Sequence, residues 1–175
     1  MKLSTRLITT SAIVGAAYAV MTMILAPISY GAIQCRISEV LCILPFFIPG
    51  TAWGLFVGCA LANILTGNIL DIIFGSLATL LAGLCTAAFG RREHNMKNSL
   101  LACLMPVAFN AVIVGAVITE AYNGMHIFRH FGIFALNMFT VGLGEAVVLL
   151  ALGLPLTRTL PKQKFFKDFI DKINS

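Results

Sequence analysis

The sequence predicts an all-α integral membrane protein, one membrane domain over residues 1–175, with six transmembrane helices and both termini on the cytoplasmic side. Three observations carry this expectation. Of 175 residues, 59% are apolar and only 11% charged, with mean hydropathy +0.94; soluble chains carry roughly 25% charged residues, so lipid is the solvent for most of this chain. The net charge of +5 comes from basic residues beside apolar runs, where they set orientation rather than form a nucleic-acid surface. Proline and glycine then divide the apolar sequence into segments of spanning length.

The first span runs from Leu7 to Ile28, after Lys2 and Arg6, and suffices to cross a core of about 30 Å at about 1.5 Å per residue. A cleaved leader would end near Ala17-Tyr18-Ala19, but the apolar run continues well past that point. Ser11, Ala12, Gly15, Ala16 and Ala19 recur three to four apart, a stripe of small residues that lets another helix approach closely, from this chain or from a partner.

Residues 37–65 would make one tilted span, yet Pro45 and Pro49-Gly50 interrupt them. Charge decides the count. Arg91, Arg92 and Lys97 belong on the side of Lys2 and Arg6, which requires an even number of crossings between them. We therefore expect a short span at 38–48, a tight turn at Pro49-Gly50, a third span at 51–70, an outer turn marked by Asp71, and a fourth span at 72–89. The fifth span, 99–119, crosses outward to a loop from Glu120 to His130, and the sixth, 131–156, returns. Of the 12 Lys and Arg residues, all but Arg36 and Arg129 then share one face. The tail, 158–175, sets Phe165, Phe166, Phe169 and Ile173 against lysines, the pattern of an amphipathic stretch on the inner membrane surface.

Polar residues are rare here, which gives weight to those present. Tyr30-Gly31-Ala32-Ile33-Gln34-Cys35-Arg36-Ile37-Ser38-Glu39 concentrates five polar or charged side chains at a membrane boundary, either as a solvated loop or as a loop that reads a ligand over a cavity. Asn63, Asn110 and Asn137 all fall in the outer half of their spans, which suits one shared cavity, or three amides that each join a helix pair. Glu145 lies deeper, beside Gly142 and Gly144, where a carboxylate must be paired, protonated or solvated. Cys35, Cys42, Cys59, Cys85 and Cys103 show neither a CxxC spacing nor histidine partners, so no metal site or disulfide framework is expected. The chain has no GxxxxGK[ST] phosphate loop, HExxH or GxSxG, and no visible inverted repeat. It reads as a binding subunit without an engine or cofactor of its own.

The stretch Tyr30 to Leu41 followed by Leu44-Pro45 resembles the signature of the QueT group of queuosine-precursor transporters. Gly58 to Asn63, Leu70 to Thr79 and Pro106 to Asn110 fit the same resemblance. It implies the substrate-binding component of an energy-coupling factor (ECF) transporter: a six-helix protein that works with a transmembrane coupling subunit and two cytoplasmic ATPases in the cell membrane. The implied ligand is a 7-deazaguanine such as preQ0 or preQ1. Such a ring offers two donors to a carboxylate and a carbonyl acceptor to an amide, while preQ1 adds a cationic aminomethyl group that a second carboxylate would balance. Glu39, Asp71 and Glu120 supply carboxylates, Gln34, Asn63, Asn110 and Asn137 supply amides, and Tyr30 or Tyr122 could stack. Arg36 either joins this site or pairs with Glu39 three residues on. The resemblance also implies that Ala12-Ile13-Val14-Gly15-Ala16 matches an Ala-x-x-x-Ala pattern for docking to the coupling subunit. Another vitamin ligand, such as a riboflavin or thiamine precursor, and a small membrane-embedded enzyme are the alternatives.

Overall fold

The computed structural model describes residues 4–30 and 35–174. Gln34 and Gly31 to Ile33 lie outside the described residues. The chain forms α1 (Thr5–Ile24), a single turn α2 (Ala26–Ser29), a 3-10 helix (Ile37–Phe46), α3 (Thr51–Asn63), α4 (Ser76–Gly90), α5 (Met96–Val117), α6 (Phe131–Val148), α7 (Leu154–Thr159) and α8 (Lys164–Asn174). Short π turns at Asp71–Gly75, Ile118–Tyr122 and Leu149–Gly153 extend α4 and α5 and join α6 to α7. No strand occurs among the described residues. Four stretches are long and apolar enough to cross a membrane: Thr5–Ile24, Asp71–Gly90, Met96–Tyr122 and Phe131–Lys162, with Ile37–Phe46 and Thr51–Thr66 shorter.

The segment expected as a short span at 38–48 is a 3-10 helix of 10 residues. It runs antiparallel to α1: Ser38 meets Thr22 at 2.6 Å, Glu39 meets Tyr18, and Ile48 packs on Leu7. That stretch of α1 measures about 22 Å at about 1.5 Å per residue. Ten 3-10 residues at about 2.0 Å each reach nearly as far, where an α-helix would stop at about 15 Å. The tighter coil is therefore what lets so short a segment keep pace with its neighbours. It also sits centrally, since Cys42 packs with Tyr18, Leu55 and Cys59 while Ile43 packs with Cys103 and Leu149.

Other boundaries differ from expectation for local reasons. The third segment ends at Thr66 rather than at residue 70, because Gly67 takes a left-handed conformation with φ of 66° that terminates the coil. Asp71, expected in an outer turn, is the first residue of the π turn that leads α4. Asn95 caps α5 by accepting from Asn98 N–H at 2.9 Å, so α5 begins earlier than 99, and its continuation through Tyr122 takes Glu120 into the helix end rather than the loop. The sixth segment runs on through Thr159. Pro106 inside α5 has no N–H to give the Ala102 carbonyl, and Thr86 Oγ1 of α4 donates to that oxygen at 3.1 Å instead.

Small residues decide how α1 meets α3. A Cβ placed on Gly54 would overlap the Ser11 carbonyl, one on Gly58 would overlap the Gly15 carbonyl, and one on Gly15 would overlap Gly54. The stripe on α1 therefore divides. Ser11 and Gly15 meet α3 and Ala19 is buried, whereas Ala12 and Ala16 stay exposed.

The basic residues gather at one end of the bundle. Arg158 Nη1 reaches Met96 Sδ at 3.1 Å, Arg6 Nη1 donates to the Lys172 carbonyl at 2.8 Å, and His94 lies tilted against Phe46 with ring centroids 4.8 Å apart. The amphipathic tail, expected on the membrane surface, docks its apolar side onto this end. Phe169, Ile170 and Ile173 pack with Leu7, Phe47 and Ile48, and Phe165 stays exposed.

Gly58→Val should lower stability in detergent by about 1–3 kcal/mol through overpacking. Ala12→Val on the exposed side of the same interface should stay within about 0.5 kcal/mol. Thermal unfolding of the two variants checks this, and equal shifts would overturn the division of the stripe.

Candidate functional site

At the end of the bundle opposite the basic cluster, polar side chains turn inward. The 3-10 helix places Glu39 at its first turn with 0% exposure. Tyr18 Oη donates to Glu39 Oε1, Cys42 Sγ donates to Oε2 at 2.9 Å, and Arg36 Nη1 stands 3.9 Å from Oε1. Arg36, also buried, reaches Tyr18 Oη at 3.4 Å and Cys59 Sγ at 3.7 Å, and its guanidinium lies over the Tyr30 ring at 5.4 Å. The pairing of Arg36 with Glu39 three residues on is thus present, at the long edge of contact. Glu39 has a donor at each oxygen, which is how a carboxylate withstands burial.

Next to this pair lies an amide–carboxylate corner built by α3 and the start of α4. Asn63 Nδ2 donates to the Asp71 carbonyl at 3.0 Å, and Tyr122 Oη at the end of α5 approaches Asp71 Oδ2 at 3.4 Å. Gly75 makes room, since a Cβ there would lie 2.7 Å from Asn63 Nδ2 and 3.1 Å from Asp71 Oδ1. Tyr30 Oη donates to the Ala62 carbonyl at 2.8 Å and closes the corner from the α2 side. Burial pushes the Tyr30 hydroxyl above its ordinary value, so it remains a neutral donor. Asn63 Oδ1 and Arg36 Nε are buried without partners.

Deeper, Asn110 Nδ2 of α5 donates to Glu145 Oε1 of α6 at 2.8 Å. Glu145 and Asn110 are 3% and 2% exposed, and Glu145 interacts electrostatically with both Glu39 and Arg36. Asn110 thus belongs with Glu145, which was expected to lie below the outer residues.

Among the candidate residues, the fold brings together Tyr30, Arg36, Glu39, Asn63 and Asp71, with Asn110 adjoining through Glu145. It does not bring in Asn137 or Glu120. Asn137 donates to Thr119 Oγ1 at 2.9 Å and joins α6 to α5. Glu120 is exposed, accepts from Ile127 N–H at 3.2 Å and stands 3.4 Å from His126 Nδ1. Gln34 lies outside the described residues. Tyr18, Cys42 and Cys59 belong to the cluster without having been singled out. For Tyr18 the sequence holds only a partial signal, its i, i+4 spacing from Thr22, which puts two polar groups on one face of an apolar span without showing what they meet. No group of His, Cys, Asp and Glu that could hold a metal occurs among the described residues.

The buried pair makes a stability test possible. Glu39→Leu alone strands the Arg36 charge and should cost about 3–5 kcal/mol. Adding Arg36→Met should recover much of that loss, measured as unfolding midpoints in detergent. Strict additivity of the two single effects would mean that the charges are not coupled.

Comparison with known proteins places the chain. Residues 8–162 match the family described as QueT transporter. A protein of Lactococcus lactis subsp. cremoris (strain MG1363), named queuosine precursor transporter QueT, is 43% identical over 75 residues, a stretch that covers 42% of this chain and 44% of that protein. No solved structure matches. With the family match running from the first helix to the end of the sixth apolar segment, the chain belongs to the QueT transporter family and is a multi-pass membrane protein.

Proposed function

We propose that this protein is the substrate-binding membrane subunit of an ECF-type importer and takes up a queuosine precursor, a 7-deazaguanine. Family membership carries the transport half of this reading, and the name of the Lactococcus relative suggests the ligand. The observation that supports a binding role is the buried pair Asn63 and Asp71, with the more exposed Tyr122 at its edge and Arg36 and Tyr30 beside it. Polar groups taken out of water and lipid at one end of a membrane bundle are costly unless they act on something. The ring N–H and exocyclic amine of a deazaguanine would donate to Asp71, its carbonyl would take a donor from the amide, and Tyr30 or Tyr122 would bear on its face. In this reading Glu39 and Arg36 form the wall of the site, since Glu39 already holds two donors of its own.

In this reading the chain crosses six times, so that this corner faces outside and the basic end, with α8, faces the cytoplasm, as the positive-inside rule favours. Ala12 and Ala16, exposed among large apolar side chains such as Ile13 and Val20, offer the flat face that a coupling subunit would need in lipid. Energy for uptake would come from two ATPases bound through that subunit.

Two experiments check this reading. Purified protein should bind a 7-deazaguanine by calorimetry, and Asp71→Asn should weaken binding by about 1.5–3 kcal/mol, roughly 10- to 150-fold; an unchanged affinity would remove Asp71 from the site. Replacing Ala12 and Ala16 together with Trp should abolish uptake by cells and leave ligand affinity intact. Full uptake with both bulky residues in place would exclude this face from docking.

A further inference from the structure

We propose that Glu145 and Asn110 receive a positively charged amine of the ligand, so that the site selects an aminomethyl 7-deazaguanine over the neutral nitrile compound. This rests on the importer reading above and names the substrate class within it. Two features carry it, one of hydrogen bonding and one of charge.

Asn110 gives Nδ2 to Glu145 Oε1 at 2.8 Å, which fixes the amide orientation and leaves Asn110 Oδ1 facing away from that bond. Asn110 Oδ1 and Glu145 Oε2 are both buried and both lack a donor. Two acceptors on one bonded pair suit an ammonium group, which brings three N–H donors and a charge. A nitrile brings only an acceptor and would leave both oxygens unsatisfied.

Charge points the same way. Arg36 contributes one positive charge and pairs with Glu39, while Asp71 and Glu145 add two further carboxylates within its electrostatic reach. Among the described residues no second Lys, Arg or His enters the hydrogen bonds or ion pairs of this cluster. Glu39 is satisfied at both oxygens and Glu145 at one. Glu145 is thus the carboxylate whose second oxygen awaits a donor, and an ammonium supplies that donor together with the positive charge that would hold the group ionised.

Calorimetry on the full-length protein in detergent, with preQ1 as the aminomethyl compound and preQ0 as the nitrile, tests this. Wild-type protein should bind preQ1 at least about tenfold tighter than preQ0. Glu145→Gln should lose about tenfold or more toward preQ1 and change by less than about twofold toward preQ0, whose retained binding also reports a folded variant. Equal wild-type affinity for the two compounds, whatever the variant does, overturns the assignment of Glu145 while leaving the importer reading intact. Parallel loss or parallel retention of both ligands in Glu145→Gln overturns it too. Failure of wild-type protein to bind either compound removes the importer reading and this inference together.

Discussion

Burying the Glu39 carboxylate is the constraint on which the rest of the bundle depends. A carboxylate far from water is tolerated only with donors at its oxygens and a counter-charge nearby. Three elements supply them: Tyr18 from α1, Cys42 from the next turn of the 3-10 helix, and Arg36 from just ahead of it. Cys42 lies three residues after Glu39, and a coil of three residues per turn stacks i over i+3. The same geometry that stretches this segment along α1 therefore brings the thiol under the carboxylate. Length and hydrogen bonding require the same unusual coil.

With that helix at the centre, its neighbours must come close without clashing. α1 and α3 do so through Gly15, Gly54 and Gly58, whose missing side chains let backbone meet backbone. In lipid there is no hydrophobic gain from such contact, so dispersion at short range and the polar bonds it permits must hold the pair. Close approach here also sets the polar cluster, because it carries Cys59 of α3 to the level of Tyr18 and Arg36. A wider spacing would leave the Arg36 guanidinium short of Cys59 and loosen its hold beside Glu39.

Much of this was legible in the sequence, and the limits have physical causes. Hydropathy and the distribution of Lys and Arg locate the apolar segments, and the turn at Pro49-Gly50 falls where proline and glycine place it, just ahead of Thr51. Boundaries shifted where a backbone preference rather than hydropathy governs: Gly67 ends its segment by its left-handed φ, and Asn95 starts α5 by its cap. The 3-10 coil was not legible, because its need arises from matching the reach of α1. In the candidate site, counting depth along helices found Asn63 and Asn110 but said nothing of rotation about each axis. Asn137, at similar depth, turns to Thr119 instead, and Tyr18, inside an apolar run, showed its role only once Glu39 was seen to lie against it.

The contrast between the two buried glutamates gives the cluster its logic. Glu39 is closed: each oxygen has a protein donor and its charge has Arg36, so disturbing it disturbs the fold before it disturbs anything else. Glu145 is open, with one oxygen held by Asn110 and the other bare. A membrane protein cannot leave a buried acceptor unsatisfied without cost, and the cost recurs in every molecule unless some state of the protein repays it. The carboxylate completed by the chain's own donors is therefore architecture, and the one left incomplete is the one to which the proposed ligand would contribute. By the same criterion Asn137, whose amide donates to Thr119, is helix glue, whereas Asn63, with its carbonyl oxygen still free beside Asp71, remains available to a ligand.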